Sequence, residues 1–294
     1  MSWEDTLQSW AKPPAENEQT KCDNAVRAVR KAIDASPALK GRSIRVFAQG
    51  SYCNRTNVRT DSDVDICVLC NTSMFFDLPD GTTSSTFGII TPADYAYSTF
   101  KNDLEAALRL YFGTGFVTRG NKAFDIHENT YRIDADAVPC FEYRWYRKDG
   151  TFRQGAAFDP DKGGRIINWP DQNYENGVAK NKETGQRFKD VVRILKRLRN
   201  KMDDEKITAA NPIPSFLIEC LVWNVPNGGF GHDTYEADVR WALAHLFNNT
   251  KKFDDCREWG EINEYKYLFR PSQPWTMEQG HKFTSAAWDY LGFE

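Results

Sequence analysis

Two aspartates separated by one residue, Asp63 and Asp65, stand in a stretch that otherwise reads as an apolar strand, VDICVLC, and a glycine-serine pair, Gly50-Ser51, precedes them by eleven residues. Alternation along a strand puts Asp63 and Asp65 on one face, with Val64 and Ile66 on the other. Two carboxylates about 6 to 7 Å apart repel, and neither tolerates burial without a partner. A divalent cation answers both objections, because Mg²⁺ takes oxygen ligands from one or two carboxylates and from substrate phosphates. The Gly50-Ser51 turn suits the same chemistry: glycine lets backbone N–H groups approach a phosphate, and a serine hydroxyl and a helix start add donors. The pattern therefore points to a metal-nucleotide site. Asp-x-Asp on an edge strand is by itself a common solvated feature, so the weight rests on the joint pattern of strand, turn, spacer and strand.

That joint pattern, GSYCNRTNVRTDSDVDI, resembles the signature of the DNA polymerase β-like nucleotidyltransferase superfamily, and within it the form found in bacterial CD-NTases, the relatives of cyclic GMP-AMP synthase. The resemblance implies that Gln49, Gly50 and Ser51 meet a triphosphate and that Asp63 and Asp65 bind metal. It also implies a third carboxylate on a neighbouring strand. YRIDADAVPC, residues 131 to 140, offers Asp134 and Asp136 on one face, and periodicity does not choose between them. The likeness to the family's D-(V/A)-V-P segment favours Asp136, with Asp134 as the alternative. Two ions, Mg²⁺ with Mn²⁺ as a substitute, are implied as cofactors. Further along, residues 176 to 200 are similar to the family's central basic helix and IPSFLIECLVWNVP to the helix after it. Carried over, these give Lys189 and Ser215 to the triphosphate and Phe216 to stacking on a base. The family more often has tyrosine at the last position, so Phe216 keeps the ring and loses a hydroxyl. Without the aspartates, Lys189 would read as solvated, Ser215 as a helix cap and Phe216 as core. Asn168, Trp169, Gln172 and Asn173 form a polar and aromatic stretch that either reads base edges or is ordinary loop.

The elements that must position these groups follow from periodicity. Residues 16 to 36, 92 to 111, 186 to 201, 214 to 225, 235 to 247 and 277 to 291 carry apolar residues at helical spacing. Residues 43 to 48, 64 to 70, 115 to 119, 123 to 127, 131 to 138 and 141 to 147 read as strands, followed by a hairpin-like pair around GTFRQGAAF and GRIINW. Asn71 to Thr91 is the longest loop-like stretch. The expected fold is α+β: a polymerase β-like core of mixed sheet and flanking helices over residues 1–170, with a long N-terminal helix, fused to a helical lobe over 171–294, the active site lying in the cleft between them.

Composition limits the alternatives. The chain has 294 residues, 40% apolar, enough for a large core. No basic start leads into an apolar run and no stretch of about 18 apolar residues occurs, so a soluble, cytoplasmic protein is expected. The net charge of −3 argues against a protein that coats nucleic acid. The seven cysteines are scattered and odd in number, which suits reduced thiols. Cys67 and Cys70 form a C-x-x-C, but in a strand they face opposite ways, and His127, His232, His245 and His281 lack ligand spacing.

The resemblance implies a reaction in which a 3′- or 2′-hydroxyl of one NTP attacks the α-phosphate of another, pyrophosphate leaves, and a second such step closes a ring. The cyclic product, expected to be a dinucleotide second messenger, would act on a downstream effector in anti-phage defence, with the enzyme a monomer. The rival readings are a nucleotidyltransferase that makes linear oligonucleotides or modifies RNA, a catalytically silent nucleotide sensor, and a metal-dependent phosphate hydrolase.

Overall fold

The computed structural model describes residues 3–58, 63–90, 93–127 and 134–294. Contacts divide the chain into an α/β unit, Ala15–Cys53 with Arg59–Asp171, and a helical unit, Met1–Pro14 with Asn54–Val58 and Gln172–Glu294. The break near residue 171 is where composition changes. The first fourteen residues and Asn54–Val58, by contrast, group with the helices rather than with the sheet.

In the α/β unit the order is α2 (Glu16–Ala35, after α1 at Glu4–Ala11 of the other unit), β1 (Ile44–Ala48), α3 (Gly50–Asn54), β2 (Val64–Asp77), α4 (Tyr97–Phe112), β3 (Val117–Arg119), β4 (Phe124–Ile126), β5 (Ala135–Tyr146), β6 (Phe152–Phe158) and β7 (Ile166–Asn168). The strands form one mixed sheet in the order β1-β2-β5-β4-β3, with β6 continuing from β5 and β7 from β6. Among the described residues only the β2–β5 pair is parallel.

One face of this sheet, with Val64, Ile66, Val68, Ala135, Ala137, Phe124 and Ile126, packs on Val29, Ile33, Phe100 and Leu104 of α2 and α4. The opposite face carries a smaller cluster of Cys67, Leu69, Val138, Cys140, Ala156 and Phe158. Cys67 and Cys70 thus fall in different clusters, as alternation requires.

Two strand expectations need correction. Residues 131 to 138 and 141 to 147 read as separate strands across Pro139; instead one strand, β5, runs from Ala135 to Tyr146, while residues 131–133 lie outside the described residues. Pro139 is tolerated because β5 changes antiparallel partner there: β4 pairs with Ala135–Ala137 and β6 with Phe141–Tyr146, so the missing N–H falls in the gap. The stretch expected to loop from Asn71 begins instead as more of β2, which resumes pairing with β5 from Met74 to Asp77 after an irregularity. Asn71 N–H still reaches Ser43 O at 2.8 Å. Pro92, the first residue of an expected helix, also lies outside the described residues.

The helical unit consists of α1, α5 (Pro170–Glu183, its first two residues counted with the sheet), α6 (Arg187–Asp204), α7 (Ser215–Trp223), α8 (Tyr235–Asn249), α9 (Phe253–Cys256) and α10 (Met277–Tyr290). Its core gathers Val191, Ile194, Leu195 and Leu198 of α6 with Leu217, Leu221, Leu243, Leu246 and Phe283, and also with Leu7 and Ala11 of α1. Glu4 shows why α1 belongs here: its carboxylate accepts from the N–H groups of Tyr235 (3.2 Å) and Glu236 (2.9 Å), satisfying the open first turn of α8. Burial would raise the Glu4 pKa, yet the hydrogen bonds from Glu236, Gln8 and Tyr235 hold it below the usual carboxylate range.

Candidate active site

The strand register builds the acidic site. Asp65 of β2 stands opposite Asp136 of the parallel strand β5, and Asp125 of β4 stands opposite Asp136 on the other side. Asp63 and Asp134 lie two residues before Asp65 and Asp136, and Val64 N–H donates to Asp134 O at 3.0 Å, so the pairing carries on to that level. All these carboxylates share the sheet face turned away from α2 and α4. An apolar strand can carry two charges for this reason: its odd and even residues meet different surroundings.

The glycine turn closes on the same carboxylates. Gln49 N–H donates to Asp65 O at 2.8 Å, and Gly50 follows with φ +67°. A Cβ at Gly50 would lie 2.7 Å from Asp65 Oδ2. Only glycine allows both the left-handed backbone and this approach. Ser51 is the next residue of α3, so the pair reaches the acids from the end of β1.

Crowding raises the proton affinity of these groups. Burial, and then the charge of Asp63, pushes Asp65 up to about 6. Burial, the hydrogen-bonded carboxyl of Asp125, and the charges of Asp125, Asp65 and Asp63 push Asp136 up to about 7. An all-oxygen donor set of like charges from neighbouring strands fits a hard divalent cation such as Mg²⁺. Among the described residues, no three His, Cys, Asp or Glu side chains are already drawn tightly enough together to enclose an ion.

Asp125 escaped the sequence reading. It lies in a three-residue strand, FDI, whose single-residue alternation gave the only available signal. Its place beside Asp136 depends on long-range pairing.

Asn168 ends β7 and pairs with Ala156. Its O lies 2.8 Å from the position a Cβ would take on Gly155, so that glycine permits the close approach. Trp169 is buried, with its ring edge-on to Tyr143 at 5.6 Å, and serves as core. Gln172 and Asn173 belong to α5 in the helical unit, where Asn173 Oδ1 accepts from Asn263 Nδ2 at 3.2 Å.

Within the helical unit, Ser215 opens α7 without capping it; its hydroxyl accepts instead from Arg199 Nη2 at 2.9 Å. Phe216 is partly buried and packs edge-on against Trp275 at 6.2 Å. The structure does not bring Lys189 to Ser215. Lys189 precedes Arg199 by ten residues of α6, about 15 Å of helix rise. Between them lies Lys196, fully buried, whose ammonium donates to Thr56 O at 3.0 Å and pairs with Glu219.

This sheet, with its glycine turn and strand-borne aspartates, defines a polymerase β-like nucleotidyltransferase. The chain belongs to the cGAS/DncV-like nucleotidyltransferases, the bacterial CD-NTases: residues 175–292 match the C-terminal helical domain of that family, and relatives match over nearly the whole length. A cyclic dipyrimidine nucleotide synthase, CdnE, of Legionella pneumophila is 48% identical over 99% of this chain and 98% of its own length. A second enzyme of that name, from Cecembia lonarensis, is 42% identical over 99% and 98%. Among solved structures, the Rhodothermus marinus CdnE c-UMP-AMP synthase with Apcpp and Upnpp matches with TM-score 0.86 and 30% identity, covering 98% of this chain and 96% of that one.

Proposed function

We propose that the protein condenses two nucleoside triphosphates into a cyclic dinucleotide with release of pyrophosphate. The alignment of Asp63, Asp65 and Asp136 on one sheet face beside the Gly50-Ser51 turn is the observation that carries the reading. The relatives at 48% and 42% identity, both cyclic dipyrimidine nucleotide synthases, make pyrimidine nucleotides the proposed substrates.

Asp63, Asp65 and Asp136 would hold Mg²⁺, or Mn²⁺ in its place, which supplies neutralising charge for the phosphates and makes the attacking hydroxyl more acidic. Gly50 and Ser51 present backbone N–H groups and a hydroxyl to the triphosphate, and Gln49, whose N–H is taken by Asp65 O, would reach it with its side-chain amide. Asp136 would lie beside the attacking hydroxyl, placed to help remove its proton. In the helical unit, Ser215 and the adjoining Arg199 are suited to phosphate contact, and the Phe216 ring to a base. Asn168 would address base edges. We further propose that the enzyme works as a cytoplasmic monomer whose product acts on an effector in anti-phage defence, a context drawn from the family. Among the described residues no helix is long and apolar enough to cross a membrane.

The test is to incubate the protein with all four NTPs and Mg²⁺, treat with phosphatase, and identify what resists. A phosphatase-resistant cyclic dinucleotide containing a pyrimidine is the expected product. Linear oligonucleotides, labelled RNA or released phosphate alone would refute the proposal. Asp65→Asn should cut turnover by at least about a hundredfold while the unfolding midpoint stays within a few degrees, because the change removes a charge and little packing.

A further inference from the structure

Lys189 stands far along α6 from Ser215, and its surroundings assign it a different role. It lines a cavity of about 630 Å³ built entirely within the helical unit, together with Arg55, Tyr174, Lys182, Asp190 and Arg193. The volume lies in the range of small-molecule sites. Four cations face one carboxylate, and that carboxylate is already engaged: Asp190 pairs with Arg193 and accepts from Tyr235 Oη at 2.7 Å. The lining is strongly electropositive.

The wall is rigid where it matters. Arg193 is 4% exposed and its Nε donates to Ala11 O at 2.7 Å, while Nη1 donates to Arg55 O at 2.8 Å. Arg55 itself has φ +55°, a left-handed backbone rare for a long side chain, and the Arg193 bond helps fix it there. Lys189 N–H donates to Asn181 Oδ1 at 2.9 Å, which fastens the other side. Tyr174 leaves 44% of its surface exposed, with the Lys189 ammonium 5.9 Å from its ring centre. Cations beside an accessible aromatic ring are the elements that recognise a phosphate attached to a planar base.

We propose that this cavity is a second nucleotide site, which takes a nucleoside phosphate with its phosphate on Arg55, Lys182 and Lys189 and its base against Tyr174. It goes beyond the catalytic reading and stands without it. The segment it grips, Asn54–Val58, begins three residues after Ser51 and precedes Asp63 in the chain, so occupancy would bear on the catalytic turn through covalent connection.

The test uses full-length protein carrying Asp63→Asn and Asp65→Asn, in EDTA, so that its result does not depend on turnover. Calorimetric titration with uridine 5′-monophosphate should show binding at least tenfold tighter than with inorganic phosphate or uridine. Tyr174→Ala and Lys182→Glu, both at exposed positions, should each weaken it at least fivefold, and Arg199→Ala beside Ser215 should leave it unchanged. Absence of binding, loss with Arg199→Ala, indifference to the Tyr174 and Lys182 changes, or phosphate binding as tightly as the nucleotide would overturn the proposal.

Discussion

At the residue scale the controlling fact is the juxtaposition of carboxylates that would each ionise readily alone. Asp136 suffers most, first through burial and then because Asp125 and Asp65 flank it on both sides. A carboxyl whose folded pKa, about 7, exceeds its ordinary 3.8 keeps its proton in the folded chain after the unfolded chain has lost it. That contribution is fully present below the unfolded value and is lost as pH rises through the folded one. In EDTA, the protein should therefore lose stability between pH 4 and about pH 7, and Asp136→Asn should flatten that part of the profile. Urea unfolding across the range measures it; an unchanged slope in Asp136→Asn would remove Asp136 as the cause. Asp63 and Asp65 were legible because chemistry and spacing lie together in sequence. Asp125 was not, since only tertiary pairing brings FDI beside the strand that carries Asp136. Lys180 escaped for a related reason: desolvation lowers its pKa to about 8, and its ammonium donates to Val225 O at 2.8 Å beside the Trp223 ring.

Elements turn these residues into a site. Gly50 is where strand ends and turn meets acid, and its substitution separates backbone cost from chemical cost. Gly50→Ala places a methyl group 2.7 Å from Asp65 Oδ2 and a left-handed φ on an L-residue, at about 1 kcal/mol of strain. The carboxylate is the part free to move, so displacement of Asp65 should relieve the clash. Turnover should consequently fall by at least about tenfold, while denaturant unfolding shows a loss of only about 1 to 2 kcal/mol. Equal turnover in Gly50→Ala would mean that the turn and the acid do not work together. Helices with strong amphipathic spacing, such as α2 and α6, were readable. Missed elements had other supports: α1, eight residues long, is held by its Leu7 and Ala11 in the helical core and by Glu4 on α8. β5 runs through a proline that local rules treat as a break, and only its change of partner explains this.

For the whole molecule, each unit has its own core, yet neither is a continuous piece of chain. Removing residues 1–14 should destabilise the helical unit by several kcal/mol, since it strips Leu7 and Ala11 from the core and leaves the first turn of α8 without the Glu4 acceptor. Hydrogen exchange read by mass spectrometry should show that loss concentrated in α6 and α8, with the sheet less affected; uniform loss would speak against the division. Sequence composition revealed the break near residue 171, because apolar strands give way there to basic amphipathic helices. It held no sign of the return of residues 54–58, which depends on buried partners such as Lys196 and Glu219.

The interleaving bears on how such proteins can be recombined. A hybrid joined at residue 171 would inherit its first helix, and residues 54–58, from the wrong parent. Faithful exchange of the helical module between relatives requires transplanting three separated stretches, 1–14, 54–58 and 172–294, as one inherited set.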